Sequence, residues 1–114
     1  MHELSLVQNI FNTLEEEFPD KIETVRGIYL TVGILSNVQP LLMESAFNVF
    51  IEDQTRYKKT KLYVDVVPII IECKDCNKKS VVEQYKFVCP YCGKPTNNMI
   101  QGDEMLITKV EFEV

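Results

Sequence analysis

The chain has 114 residues, of which 46% are hydrophobic and 25% charged, and its formal net charge is −5. A chain of this length can bury one modest hydrophobic core. A small additional module would need a stabilising cross-link such as a bound metal ion. The acidic balance disfavours a nucleic-acid partner, because nucleic-acid-binding domains usually cluster Lys and Arg. The sequence has neither the about 20 apolar residues of a membrane span nor a signal-peptide pattern, so we expect a cytoplasmic protein that does not bind membranes.

The first half of the chain predicts two amphipathic helices. In the first helix, apolar residues recur at steps of three and four: Leu4, Val7, Phe11, Leu14 and Phe18. Pro19 ends this helix, and the three glutamates just before it are expected to be solvated. The second helix is predicted after Pro40, which suits an early helical position. Its apolar stripe is predicted at Leu42, Ala46, Val49 and Phe50.

Three segments alternate between apolar and other residues, as half-buried strands do: residues 28–34, 62–66 and 106–114. Three strands and two amphipathic helices need each other's apolar faces, so the C-terminal strand is expected to return to the first half. The predicted fold is therefore α+β, with two helices on a three-stranded mixed sheet. Residues 1–67 and 103–114 would form this domain, and residues 68–102 would form an inserted zinc-ribbon domain.

All four cysteines fall into two CxxC pairs with twelve residues between the pairs: Cys73, Cys76, Cys89 and Cys92. This spacing is typical of a tetrahedral four-thiolate zinc site. Asn77 and Gly93 directly follow the two pairs, and both can take the positive φ that turns backbone N–H groups toward the sulfurs. Two disulfides or a redox-active CxxC are the alternatives. They are disfavoured by the absence of a secretion signal and of a CxxC at the start of a helix.

The single histidine of the chain lies at position 2. The N-terminal amine of Met1, the backbone nitrogen and imidazole of His2, and the amide nitrogen of Glu3 can supply four donors in one plane. Deprotonated amides are strong-field ligands, so this set favours square-planar Ni(II) or Cu(II) over zinc. Considered by itself, His2 is more simply explained as a solvated residue near a terminus than as a ligand.

Motifs along essentially the whole chain resemble the HypA/HybF family. These motifs are the opening MHELS, LSNVQP at residues 35–40 followed by SAF at 45–47, the two CxxC pairs, and GDEM at residues 102–105. The resemblance implies a nickel metallochaperone, and not an enzyme, for the maturation of nickel-iron hydrogenase and, in some bacteria, of urease. It also implies an α+β nickel-binding domain joined to a zinc domain.

Carried over residue by residue, the family's nickel site falls on the Met1 amine, the backbone and side chain of His2, and the Glu3 nitrogen. The family's structural Zn(II) falls on the four cysteines, and Ni(II) is cargo. The resemblance further implies docking to the GTPase HypB, aided by the Glu3 side chain, and delivery to the hydrogenase large subunit. Urease maturation proteins as partners and a homodimer are left open.

Two departures from the family pattern limit this transfer. Gln39 stands where some members have an acidic residue, so a carboxylate near nickel cannot come from this position. No histidine follows either CxxC pair, which leaves His2 as the only imidazole. The main alternative function is a zinc-ribbon protein-docking module without nickel transfer. An enzyme is disfavoured because the thiols are assigned to zinc and the one imidazole lies at the terminus.

Overall fold

The computed structural model describes residues 3–113 of the chain and contains two α-helices and six β-strands in that part. The helices are α1 (Glu3–Glu17) and α2 (Pro40–Glu52). The strands are β1 (Val25–Gly33), β2 (Lys61–Val67), β3 (Ile70–Glu72), β4 (Lys79–Val81), β5 (Met99–Gln101) and β6 (Met105–Phe112). No helix among the described residues is long and apolar enough to cross a membrane.

The larger sheet has the strand order β2-β1-β6 and is mixed. Strand β1 runs parallel to β2, with Ile28 opposite Leu62, and antiparallel to β6, with Ile28 opposite Val110. Parallel neighbours need a crossover connection, and here α2 provides it. The C-terminal strand therefore returns to the first half of the chain, and the predicted α+β arrangement of two helices on a three-stranded mixed sheet is confirmed.

The main core lies between the two helices and one face of this sheet. Its centre is Phe11 of α1, whose ring lies 5.9 Å from that of Phe47, 4.7 Å from Phe50 and 4.3 Å from Tyr57. Offset and tilted aromatic pairs at such distances add to the stabilisation that comes from burying their area. Ile28 and Leu30 of β1 are buried in the same core. The alternation predicted for β1 thus reflects one face packed on the helices.

The buried face of α2 differs from the predicted one. Leu42 is 47% exposed and Val49 is 58% exposed, so these two members of the predicted stripe do not face the core. The side that packs on the core consists of Met43, Ala46, Phe47, Phe50 and Ile51. Both sets have helical spacing, so periodicity could not choose between them. The position of Phe11 in α1 decides the choice, because its ring receives Phe47 and Phe50.

Two details of α1 also differ from the predictions. Leu4 is 42% exposed, whereas Ile10 is buried and belongs to the core. The three glutamates at the end of the helix were predicted to be solvated, but Glu15 is half-buried. Its carboxylate accepts hydrogen bonds from the Tyr57 hydroxyl at 2.6 Å and from the Arg56 guanidinium at 3.2 Å.

The smaller sheet is formed by β3, β4 and β5, with β3 in the middle and antiparallel to both neighbours. All three strands lie between residues 70 and 101, inside the predicted insertion. The predicted boundaries, 68–102 against 1–67 with 103–114, stay a prediction. At the ends of the predicted strands, Ile34 lies in a short 3₁₀ turn instead of β1, and Val114 lies outside the described residues.

Candidate metal centre

The structure brings the sulfur atoms of the two CxxC pairs together. All four Sγ atoms lie within 4.8 Å of one another; Cys73 Sγ is 3.5 Å from Cys92 Sγ, and Cys76 Sγ is 3.6 Å from Cys89 Sγ. Four sulfurs at zinc–sulfur distance around one tetrahedral ion would be about 3.8 Å apart. All four are free thiols, and a disulfide bond would need about 2.05 Å. The arrangement fits a four-thiolate metal site.

The two CxxC turns have the same backbone geometry. The amide of Asn77 donates to the Cys73 carbonyl at 2.8 Å, and the amide of Gly93 donates to the Cys89 carbonyl at 2.8 Å. In each turn, the amide of the first cysteine also donates to the carbonyl of the lysine five residues further on, at 3.1 and 2.9 Å. Asn77 has φ 60° and Gly93 has φ 75°, which confirms the positive φ expected at both positions. We call these two turns the first and the second knuckle.

Backbone amides of the knuckles point at the sulfurs and change their acidity. In the first knuckle, the amides three and two residues after Cys73 hold the pKa of its thiol below the ordinary value of 9.0. In the second knuckle, burial raises the pKa of Cys89, but the corresponding amides outweigh it and bring the pKa to about 7. The first cysteine of each knuckle therefore loses its proton more readily than an ordinary thiol, and the thiolate is the form that binds metal.

The second cysteine of each knuckle resists ionisation. An amide hydrogen bond lowers the pKa of Cys92, but the neighbouring Cys73 sulfur and burial outweigh that bond and raise the pKa to about 11. The pKa of Cys76 is raised as well, by burial and by the sulfurs of Cys89 and Cys73, against one amide hydrogen bond. Like charges at this distance disfavour four thiolates together, and a dication at the centre of the cluster would offset that repulsion.

Burial separates the cysteines into an inner and an outer pair. Cys73 is 2% exposed and Cys89 is fully buried, whereas Cys92 is exposed. Since all four ligands of a tetrahedral ion are supplied by the chain, no open position is left for a substrate. The arrangement matches a closed structural site, and it differs from a redox CxxC because each pair faces the other pair.

A polar segment after the second knuckle secures the strand that leads to Cys73, and the sequence patterns did not predict it. The Asn98 side chain donates to the Glu72 carbonyl at 3.1 Å, and the Glu72 amide donates to the Asn98 carbonyl at 3.0 Å. The Asn98 amide in turn donates to the Thr96 hydroxyl at 3.3 Å. The only sequence signal for this anchor is a short run of turn-forming residues, which does not specify a distant partner.

The predicted nickel site lies almost wholly outside the described residues. Met1 and His2 are not among them, and Glu3 is the first residue of α1, where it is half-buried. Gln39 is the exposed residue that precedes α2, and its carbonyl accepts the Met43 amide at 2.9 Å. The predicted convergence of the N-terminal donors on a metal therefore stays a prediction.

Comparisons with known proteins give matches over nearly the full length of this chain. The family model described as "Hydrogenase/urease nickel incorporation, metallochaperone, hypA" matches residues 1–112. The hydrogenase maturation factor HypA of Aquifex aeolicus is 35% identical over 115 residues, covering 100% of this chain and 99% of that protein. The factor of the same name from Moorella thermoacetica is 32% identical over 114 residues, covering 99% and 100%.

The fold is also similar to solved structures. The solution structure of the Ni metallochaperone HypA from Helicobacter pylori matches with a TM-score of 0.68 and 26% sequence identity, covering 98% of this chain and 97% of that one. A solution structure of a HypA protein matches with a TM-score of 0.64 and 27% identity. Both matches extend over the larger sheet and the four-cysteine site.

Proposed function

Because the chain belongs to the HypA family of metallochaperones for nickel incorporation, we propose that it binds Ni(II) at its N-terminus and delivers it during the maturation of a nickel-iron hydrogenase. The family match over residues 1–112 carries this proposal, since it includes the opening Met1, His2 and Glu3. Delivery to urease is the second branch of the family description and stays open for this chain.

The start of α1 offers independent support for Glu3 as a backbone ligand. The first amides of an α-helix have no acceptor within the helix. Since α1 begins at Glu3, the nitrogen of this residue can lose its proton and bind a metal without breaking a helical hydrogen bond. The Glu3 carboxylate lies in the first turn, where the helix dipole favours negative charge, and it stays available for contact with a partner.

We assign different roles to two metals. Zn(II) at Cys73, Cys76, Cys89 and Cys92 would cross-link the two knuckles and contribute folding free energy to residues 68–102. Within residues 3–113, no other group of three or more His, Cys, Asp or Glu side chains comes together, which supports the N-terminal nitrogens as the donors for nickel. Ni(II) is cargo, and donors at a chain terminus can be replaced one at a time without unfolding the core.

The implied partners follow from transfer of the cargo. The GTPase HypB would exchange nickel with the chaperone, and the hydrogenase large subunit would receive it. Catalysis forms no part of the proposal. The cytoplasmic location and a homodimer remain predictions. The competing function is a zinc-stabilised docking module that does not carry nickel.

An extension of the N-terminus tests the nickel site directly. Four added residues, Gly-Ser-Gly-Ser, before Met1 convert its amine into a neutral amide and place the new amine too far from His2 for fused chelate rings. One donor is then lost, and nickel affinity should fall about 100-fold or more. The zinc content should stay at about one per chain, because the extension does not touch the knuckles. The matched control carries the same four residues after Val114. Equal nickel affinity of the two extended proteins would contradict the proposed site and favour the docking module.

A further inference from the structure

A groove of about 610 Å³ runs between β4 and the second knuckle. We call it the ribbon groove. Its main lining residues are Lys79, Val81, Lys86, Val88, Pro90 and Tyr91. None of these residues supplies a sulfur to the four-cysteine site, although Pro90 and Tyr91 belong to the second knuckle.

The charge in the ribbon groove is positive, against the sign of the whole chain. Residues 68–102 carry five lysines against three acidic residues, an excess that four thiolates on Zn(II) would balance, so the positive charge of the groove is that of Lys79 and Lys86 themselves. Lys94 is paired with Asp75 at 3.5 Å, but neither Lys79 nor Lys86 forms an ion pair within the described part of the chain. Glu83 is the one acidic residue that lines the groove. Cys89, which lies between Val88 and Pro90 in the sequence, is fully buried.

Three exposed apolar side chains line the groove. Val81 is 53% exposed, Val88 is 45% exposed and Tyr91 is 61% exposed. The ammonium of Lys78 lies 4.6 Å from the centre of the Tyr91 ring, which holds a further positive charge at the rim. The groove therefore offers contacts for apolar side chains between positive charges.

One side of the ribbon groove is an unpaired strand edge. Strand β4 lies at the edge of the smaller sheet and pairs only with β3. At the two ends of β4, the Lys78 carbonyl and the Val82 amide bond to the β3 segment, at 3.1 and 2.9 Å. Because alternate residues of a strand turn their backbone groups to opposite sides, Lys79 and Val81 present N–H and C=O to the groove. Such an edge can accept a further strand.

We propose that the ribbon groove binds an extended acidic segment of a partner protein, which adds as a strand to β4 and places carboxylates on Lys79 and Lys86. The strand edge supplies backbone hydrogen bonds, the exposed valines and Tyr91 accept alternate apolar side chains, and the lysines select negative charge. This docking surface does not depend on nickel, so its test and the test of the N-terminal site have separate outcomes.

A synthetic peptide serves as the probe. The peptide is acetyl-Glu-Val-Glu-Leu-Glu-Val-Glu-amide with a fluorophore, titrated with zinc-loaded, nickel-free protein at low salt and followed by anisotropy. We expect saturable binding that weakens with salt, and a loss of at least about tenfold in the double variant Lys79→Glu, Lys86→Glu. The matched control is Lys58→Glu, Lys59→Glu, which makes the same change in net charge outside the groove. Its affinity for the peptide should stay much closer to that of wild type than the affinity of the groove variant does.

A second peptide tests the strand pairing. Methylation of the peptide nitrogens that would face β4 removes donors while the side chains stay the same, and it should abolish binding. Amide resonances of Lys79 and Val81 should shift on addition of the unmethylated peptide. The proposal is overturned if wild type does not bind, if a lysine-for-glutamate peptide binds equally well, or if both double variants lose affinity alike. It is also overturned if the groove is filled by a second copy, seen as a dimer that only Lys79→Glu, Lys86→Glu dissociates.

Discussion

Gly33, the last residue of β1, lies directly against the backbone of Gly102. A Cβ atom on Gly33 would lie 2.1 Å from the Gly102 carbonyl carbon, so no side chain fits at this position. The Gly33 amide donates to the Glu104 carbonyl at 2.7 Å, and the Leu35 amide donates to the Gly102 carbonyl at 2.7 Å. This contact joins the end of β1 to the segment through which the chain leaves the smaller sheet.

Gly33→Ala should therefore destabilise the protein. The new methyl group meets backbone atoms that cannot rotate away, so we expect a loss of about 1–3 kcal/mol in the free energy of unfolding. Gly27→Ala is the matched control in the same strand, because a Cβ there would first meet Glu111 Oε1 at 2.8 Å, the far end of a flexible side chain. Urea unfolding of both variants checks the prediction. Equal losses would show that the Gly33–Gly102 contact does not restrict position 33.

The backbone of the second knuckle gives a test that leaves all four sulfurs in place. Gly93 has φ 75°, and a Cβ atom added to it would have nothing within 4 Å, so a substitution there meets only backbone strain. Gly93→Val should lower the stability of the zinc-loaded protein by about 1–2 kcal/mol, because β-branched residues resist positive φ. Gly93→Asn should cost less, since Asn77 already takes φ 60° at the equivalent place. Competition with a zinc chelator measures both variants, and a similar loss for valine and asparagine would contradict the strain argument.

Loss of a cysteine ligand should affect one part of the chain more than the other. Cys73→Ser removes a buried sulfur from the cluster, and we expect zinc content to fall well below one per chain. The protection of backbone amides against hydrogen exchange should disappear in β3, β4 and β5. It should persist in β1, which packs in the helix-covered core. The control is Lys74→Ala, which changes an exposed residue between the cysteines of the same pair. Simultaneous loss of protection in β1 would show that the two sheets fold as one unit.

The hydrogen bond from Tyr57 to Glu15 predicts a dependence of stability on alkaline pH. Burial, followed by the hydrogen bond to the Glu15 carboxylate, holds the pKa of Tyr57 above its ordinary value of 10.0. In the unfolded chain the phenol ionises near pH 10, so its contribution to stability is complete below pH 10 and is lost as pH rises further. Tyr57→Phe should cost about 1 kcal/mol at pH 7 and flatten the fall in stability above pH 10.

Unfolding curves from pH 7 to 11 measure this effect. Tyr63→Phe is the comparison, because Tyr63 is 43% exposed and stacks on Tyr29 at 4.5 Å outside the helix-covered core. We expect its pH profile to follow that of wild type more closely than the Tyr57→Phe profile does. If Tyr57→Phe keeps the full wild-type decline above pH 10, then the ionisation of Tyr57 does not cause that decline.

The parts of this molecule that the sequence predicts well are those set by local spacing. Periodicity placed Val7, Phe11 and Leu14 on the buried face of α1, and cysteine spacing predicted the convergence of the four sulfurs. Helical periodicity can be recognised within a few turns of sequence. The paired CxxC motif has the same geometry in many different proteins. The positive φ values of the knuckles followed from the same local chemistry.

The features that were missed depend on residues distant in sequence. Which face of α2 is buried depends on Phe11, which lies on the other helix. The bond from Tyr57 to Glu15 joins residues 42 positions apart, and the restriction at Gly33 arises from a backbone 69 positions further on. Strands of three residues, such as β3, β4 and β5, are too short for an alternation to be recognised. Tertiary packing determines these features, and local patterns do not contain it.

The central claim is a nickel site at the N-terminus that is separate from the cysteine site. Its most direct test is a Ni(II) titration of untagged, zinc-loaded protein that begins at Met1, followed by absorption and calorimetry, with His2→Ala beside it and Gln8→Ala as the control on the exposed side of α1. We expect planar, diamagnetic nickel in wild type and Gln8→Ala, its loss in His2→Ala, and about one zinc per chain in all three. Equal nickel binding with and without His2, or loss of zinc together with nickel in His2→Ala, would contradict the claim.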